Sequence, residues 1–332
     1  MTTHTSQDIL EILGEQVPLG VSKTINFNIA NLYTSTKVEI PIIIERSKIP
    51  GPVVLITAGI HGDEVNGVEI VRQIISKKIN RPSKGTIICI PVLNVFGFLT
   101  MNRYFPDGRD LNRVFPGSKN GSLASRFAYQ FTTEILPHAD YCLDFHTGGG
   151  SRFNAPHIRV AASDTRCLEL ANVFKAPFTL LSKNLDGSYR ATCFKKNIPI
   201  LLFEGGKSQN NNKEVAIEGL HGVLRILNHL EMLKPEFDSF LSDRENIIVT
   251  KSTWIRAKFS GLLHIKISSG EKVVKGNKLA TITDPYGKMR HTVKAQNDGY
   301  IINVNEAPIV YKGDAIFHIT TQLKDEDQAG NS

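Results

Sequence analysis

The sequence predicts an α/β fold, a doubly wound mixed sheet followed by a small carboxy-terminal all-β domain. Two observations carry that prediction. Up to residue 233, short apolar runs alternate with longer amphipathic stretches, in an order that builds a sheet covered on both faces. From Asn246 the texture changes to short alternating runs punctuated by glycine. The expected division is residues 1–240 for the α/β part and 246–322 for the β part.

Each element has a local reason. Residues 7–14 suggest a short helix, followed by an extended arm. KVEIPIIIE, within residues 36–45, reads as a strand, and Pro50-Gly51-Pro52 turns the chain into a central strand, VVLITA, buried on both faces. From Val65 the residues Val68, Ile70, Val71, Ile74 and Ile75 mark one side of a helix and leave Arg72, Lys77 and Lys78 to solvent. TIICIP at 86–91 repeats the strand pattern, with room for one crossover helix before it. Residues 93–121, rich in Asn, Gly, Pro and Arg, are too long for a passive connection, which points to function. Helices are expected at 122–136, 164–174 and 215–233, and strands at 141–145, 157–162 and 198–203. Beyond 246 the chain repeats itself: Ala257 and Gly261 match Ala295 and Gly299, and Lys275-Gly276 matches Lys312-Gly313. Interleaved half-motifs of this kind make a compact β sandwich or barrel.

Composition removes several classes of function. A chain of 332 residues can bury a sizeable core. Hydrophobic residues at 41% and charged residues at 21% argue against disorder. No apolar run approaches the ~20 residues that span a bilayer, and the first residues lack the basic-then-apolar order of a signal peptide. Cytoplasm is therefore the expected compartment, without membrane partners. Cys89, Cys142, Cys167 and Cys193 are scattered, which predicts reduced and mostly buried thiols. The net charge of +7 suits an acidic partner, yet the basic residues are spread along the chain without interleaved aromatics. Nucleic acid is not expected.

The chemistry lies where apolar strands end in polar residues, the edge at which open α/β sheets bind ligands. After VVLITA come His61 and Glu64, three residues apart and able to reach one ion from a tight turn. Alone, that pair reads as easily as a polar turn in which an acid stabilises the start of a helix. The strand at 141–145 ends in His146-Thr147-Gly148-Gly149-Gly150, whose glycines allow close backbone approach. Two His and one carboxylate leave a coordination position open, the composition of a catalytic zinc site. The strand at 198–203 ends in Glu204, placed to carry protons as a general base, or alternatively to end a strand in a salt bridge.

In order along the chain, His61-Gly62-Asp63-Glu64, Asp110-Leu111-Asn112-Arg113, Asp144-Phe145-His146-Thr147-Gly148 and Phe203-Glu204-Gly205-Gly206 resemble the succinylglutamate desuccinylase and aspartoacylase family. The likeness covers roughly residues 30–235, and a carboxy-terminal β domain also fits. It implies a zinc-carboxypeptidase type of fold and one zinc ion per subunit, bound by His61, Glu64 and His146. Glu204 is implied as general base or acid, and Asn112 with Arg113 as the pair that holds a substrate carboxylate. An arginine that polarises the scissile carbonyl is implied too, and NRYFPDGRDLNR offers Arg103, the favoured assignment, and Arg109. Arg190 is a further carboxylate-binding candidate, with Arg152 and Arg159 behind it. The implied reaction is hydrolysis of the amide in a small anionic N-acyl amino acid.

Three other readings compete. A zinc carboxypeptidase acting on peptide or peptidoglycan fragments would use the same ligands, and access to the site discriminates. A carrier module is suggested by the likeness of the repeat to a biotinyl/lipoyl sandwich, with Lys288 between its halves, although the surrounding attachment motif is missing. A metal-free binding protein would not need the full ligand set. For the β domain itself, homo-oligomerisation through its strand edges is the alternative to narrowing the cleft.

Overall fold

The structure, a computed structural model, describes residues 9–31, 34–240 and 245–324. In chain order, β1 (Ile9–Ile12), β2 (Glu15–Pro18), β3 (Ser22–Asn31), β4 (Lys37–Arg46) and β5 (Val53–Ala58) lead to α1 (Val65–Ser76). Next come β6 (Thr86–Ile90), α2 (Val95–Leu99), α3 (Leu123–Gln130), β7 (Tyr141–Gly148), β8 (Arg152–Val160), α4 (Thr165–Phe174) and β9 (Phe178–Leu181). The helix α5 (Tyr189–Lys195), β10 (Ile200–Lys207) and α6 (Lys213–His229) follow. The rest is strand: β11 (Ile247–Arg256), β12 (Gly261–Ile265), β13 (Lys272–Val273), β14 (Lys278–Thr283), β15 (Arg290–Lys294), β16 (Gly299–Asn305), β17 (Ile309–Val310) and β18 (Ala315–Leu323).

A mixed sheet of order β13-β16-β18-β11-β9-β8-β10-β7-β5-β6-β4-β3 runs through the molecule. Its centre, β6-β5-β7-β10, is parallel. Both faces are covered, which is why these strands are apolar throughout. Ile56, Ala58, Ile87 and Cys89 pack towards α1, α4 and α6. Leu55, Ile88 and Ile90 pack on the other side with α3, α5 and the β1–β2 hairpin. All four cysteines are buried and free, and burial pushes the Cys167 thiol up to about 12. No helix among the described residues is long and apolar enough to cross a membrane.

The structure departs from the sequence reading in three places. Residues 9–18 form a hairpin and not a helix; Gln7 and Asp8 lie outside the described residues. Leu13 and Gly14 both take positive φ, 53° and 75°, and turn the chain so that Leu10, Ile12 and Val17 enter the core. Burying each such side chain contributes about 1.5–3 kcal/mol. Secondly, β9 and α5 form where the sequence gives weak periodicity. Thirdly, the carboxy-terminal strands do not stand apart as a free sandwich. They have a core of their own around Leu279, Ile282, Ile301 and Phe317. Even so, β11 pairs with β9, and β16 with β8, so the main sheet continues into them. The expected boundary at 240–246 falls largely on residues outside those described.

Candidate metal centre and active-site cleft

His61, Glu64 and His146 come together at the carboxyl ends of β5 and β7, each offering a ligand atom within 4.8 Å of the others. Gly62 makes the turn between the first two possible, because a Cβ there would lie 1.9 Å from the Gly97 carbonyl carbon. His61 presents Nδ1 to Glu64 Oε1 at 2.8 Å, and His146 presents Nδ1 to Glu64 Oε2 at 3.1 Å. The far nitrogens are held as well. His61 Nε2 lies 3.1 Å from Asp110 Oδ1, and His146 Nε2 lies 2.7 Å from Asp144 Oδ2. Asp144 in turn accepts from Thr57 Oγ1 at 2.7 Å, and the Thr147 amide donates to Glu64 Oε2 at 3.0 Å. Glu64 precedes α1 without capping it, so its carboxylate serves the cluster and not the helix.

The electrostatics suit a cation. Burial alone would push the Glu64 carboxyl up, but the His61 and His146 rings beside it hold it far below the usual range. Burial likewise opposes charge on both imidazoles, yet Glu64 with Asp110 raises His61, and Asp144 with Glu64 raises His146 well above the ordinary value. Three carboxylates around two imidazoles thus favour positive charge at this point. Two ring nitrogens and a carboxylate, with a second carboxylate behind each ring, fit a divalent metal such as zinc.

The cluster opens into a cleft of about 760 Å³ lined by Arg103, Asn112, Arg113, Arg152, Asn154, Arg159, Arg190, Glu204, Trp254 and Asn303, among others. Arg103 bridges Glu64 Oε1 at 3.2 Å and Asp110 Oδ2 at 2.8 Å. Arg109 is exposed, with its Nε 3.9 Å from Asp107, and does not line the cleft; of the two arginines left open by the sequence, only Arg103 is at the site. Asn112 Oδ1 accepts from the Tyr189 amide at 2.9 Å, which ties the 111–113 turn to α5. Arg113 is exposed and donates to the Asn112 carbonyl at 2.7 Å. Arg190 is buried and donates to Ser182 Oγ and the Lys183 carbonyl. Burial and nearby Arg159 pull its guanidinium down to about 10.

Glu204 lies in β10 with its side chain 17% exposed, Arg159 Nε 3.4 Å from Oε1 and Asn154 Nδ2 2.9 Å from Oε2. Asp110 and Asp144 stand in the motifs, yet the sequence alone gives neither a role. Asn154, Trp254 and Asn303 carry no local pattern that marks them. Lys288 sits in the turn between β14 and β15, where its amide donates to Asp284.

Residues 50–230 match the succinylglutamate desuccinylase/aspartoacylase catalytic domain. The chain belongs to that family. A curated relative, N-alpha-acetyl-L-2,4-diaminobutyric acid deacetylase of Halomonas elongata, is 28% identical over 280 residues, covering 80% of this chain and 81% of that protein. The fold is also that of the ectoine utilization protein EutE from Ruegeria pomeroyi in its product-bound structure. There the TM-score is 0.78 at 23% identity, over 91% of this chain and 95% of that one. A succinylglutamate desuccinylase/aspartoacylase from Rhodobacter sphaeroides gives a TM-score of 0.78 at 25% identity, over 92% and 96% of the two chains.

Proposed function

We propose that this chain is a zinc-dependent amidohydrolase that deacylates a small anionic N-acyl amino acid. The observation that carries the reading is the convergence of His61 Nδ1, His146 Nδ1 and Glu64 beside a cleft that Glu204 also lines. His61, Glu64 and His146 would hold one zinc ion. When bound, zinc supplies a Lewis acid and makes hydroxide accessible near neutral pH. Asp110 and Asp144 hold the far nitrogens of the two rings and so keep each Nδ1 turned to Glu64, the arrangement in which the three residues would share an ion. Glu204 takes a proton from the attacking water and delivers it to the leaving amine. Arg103 lines the same wall and is the donor for the carbonyl oxygen as that atom gains charge. Asn112 and Arg113 read the substrate carboxylate, for which a planar guanidinium is well shaped.

Charge supports an anionic substrate. Arg113, Arg152 and Arg190 face the cleft without an ion-pair partner among the described residues, beside Arg103 and Arg159, which pair with Glu64 and Glu204, whereas the acids Glu64 and Asp144 are engaged with the imidazoles. The Halomonas relative is named for a substrate with a side-chain amine; the arginine wall here favours a second negative group instead. Trp254 and Asn303 bring the carboxy-terminal strands to the cleft, which supports a small substrate over the peptides of a zinc-carboxypeptidase-type enzyme. The test is a panel of N-acetyl and N-succinyl amino acids beside short peptides, with amine release followed on zinc-loaded protein. Release from N-acyl amino acids with peptides inert supports the reading, and the reverse pattern would replace it with a carboxypeptidase.

A further inference from the structure

The carboxy-terminal strands do more than border the cleft. Asn154 of β8 and Asn303 of β16 face each other across an antiparallel ladder, and both are buried. Asn154 Nδ2 donates to Glu204 Oε2 at 2.9 Å, and Asn303 Nδ2 donates to Asn154 Oδ1 at 2.6 Å. The polarity of this chain is dictated by Glu204. A carboxylate can only accept, so Asn154 must turn its NH2 to Glu204 and its carbonyl oxygen to Asn303, which must then supply its own NH2. What remains is Asn303 Oδ1, buried and without a hydrogen-bond partner among the described residues. An apolar side chain at this position would instead leave the buried Asn154 Oδ1 without its donor, so the asparagine serves Asn154 and is not accounted for by packing alone.

We infer that Asn303, acting through Asn154, is a positioning residue for Glu204. The inference rests on the proposed role of Glu204 in proton transfer. With Oε2 accepting from Asn154 and Oε1 facing Arg159, the plane of the carboxylate that handles the proton is set. Two strands 149 residues apart in sequence thereby hold one carboxylate, and the β region becomes part of the reaction apparatus.

Two substitutions separate positioning from packing. Asn303→Ala removes the donor, whereas Asn303→Asp keeps the shape and reverses the polarity. The introduced carboxylate can only accept, so Asn154 must turn over and put its oxygen against Glu204. With KM within about twofold and zinc content unchanged, kcat should fall about tenfold in Asn303→Ala and about a hundredfold in Asn303→Asp. Asn154→Ala should show the same split between kcat and KM, and it decides the matter if the Asn303 variants do not fold. Packing alone predicts that the near-isosteric Asn303→Asp keeps at least as much activity as Asn303→Ala; that ranking, or KM changing in step with kcat, overturns the inference. A wild-type protein that hydrolyses no N-acyl amino acid would overturn the proposed function. In that case a crystal structure of the Asn303→Asp protein still decides the relay, by showing whether Glu204 has rotated away from Asn154.

Discussion

The two walls of the cleft are built on opposite plans. On the metal side, His61, Glu64 and His146 have side chains only 2–4% exposed, and each ligand group is tied at least twice. Both nitrogens of each imidazole face a carboxylate, and Glu64 meets His61 and Arg103 through one oxygen, His146 and the Thr147 amide through the other. On the substrate side, Arg113 and Arg152 are exposed, and the Arg113 guanidinium donates to a neighbouring carbonyl. On the proposed function, the difference follows from what each wall would have to do. A metal ion has fixed donor distances, so its ligands gain from being held before it arrives. A substrate brings its own carboxylate, and donors must be left for it. Glu204 stands between, tied through Oε2 and facing Arg159 through Oε1.

The contrast breaks most visibly at His146. His146→Ala removes a nitrogen donor and leaves Glu64 and Asp144 as neighbouring carboxylates, so bound zinc should fall from one ion per chain to near none while the fold persists. Metal analysis with circular dichroism checks this, and full zinc retention would take His146 out of the metal side. Glu204→Gln should do the opposite. It keeps zinc and substrate affinity, but an amide cannot take the proton, and kcat should drop by ~10²–10⁴. If zinc is lost in step with turnover, Glu204 belongs with the ligands and the division between the walls fails.

Asp144→Asn tests the second layer on the metal side. The amide keeps the shape but no longer offers His146 Nε2 a negative charge, and zinc affinity should weaken by ~10–100-fold. Competition with a chelator measures it. An unchanged affinity would mean that Asp144 serves the buried Thr57 contact alone.

The grouping of His61, Glu64 and His146 was legible in the sequence because these residues stand where apolar strands end: a His and a Glu shortly after VVLITA, or a His directly after YCLDF, need a reason to be there. The central strands and α1, α4 and α6 were legible for the same cause, a clear period. The N-terminal hairpin was not, since Ile9, Leu10, Ile12 and Leu13 satisfy helical spacing and the turn depends on Leu13 adopting a conformation that its side chain disfavours. Nor was the joining of β16 to β8, because strand partners distant in sequence leave no local trace. Asn154 and Asn303 fall to the same cause, and so did the choice between Arg103 and Arg109. Five residues of loop separate those two arginines, and only the folded path shows that one bridges Glu64 and Asp110 while the other faces solvent.

The substrate side should respond more gently, and Arg113 shows how. Its guanidinium is exposed, so the ion pair that it forms with a substrate carboxylate is partly screened and should contribute ~1–2 kcal/mol. Arg113→Ala should then raise KM for an N-acyl amino acid by ~5–30-fold and leave kcat nearly unchanged, since the contact is the same in ground and transition states. The methyl ester of the same compound lacks the charge. For it the substitution should change KM little, and the ratio of the two effects isolates the carboxylate from general damage to the 111–113 turn. Equal loss on acid and ester would place Arg113 with the residues that shape the cleft, and would leave Arg190, buried and bonded to Ser182 and Lys183, as the guanidinium to test next.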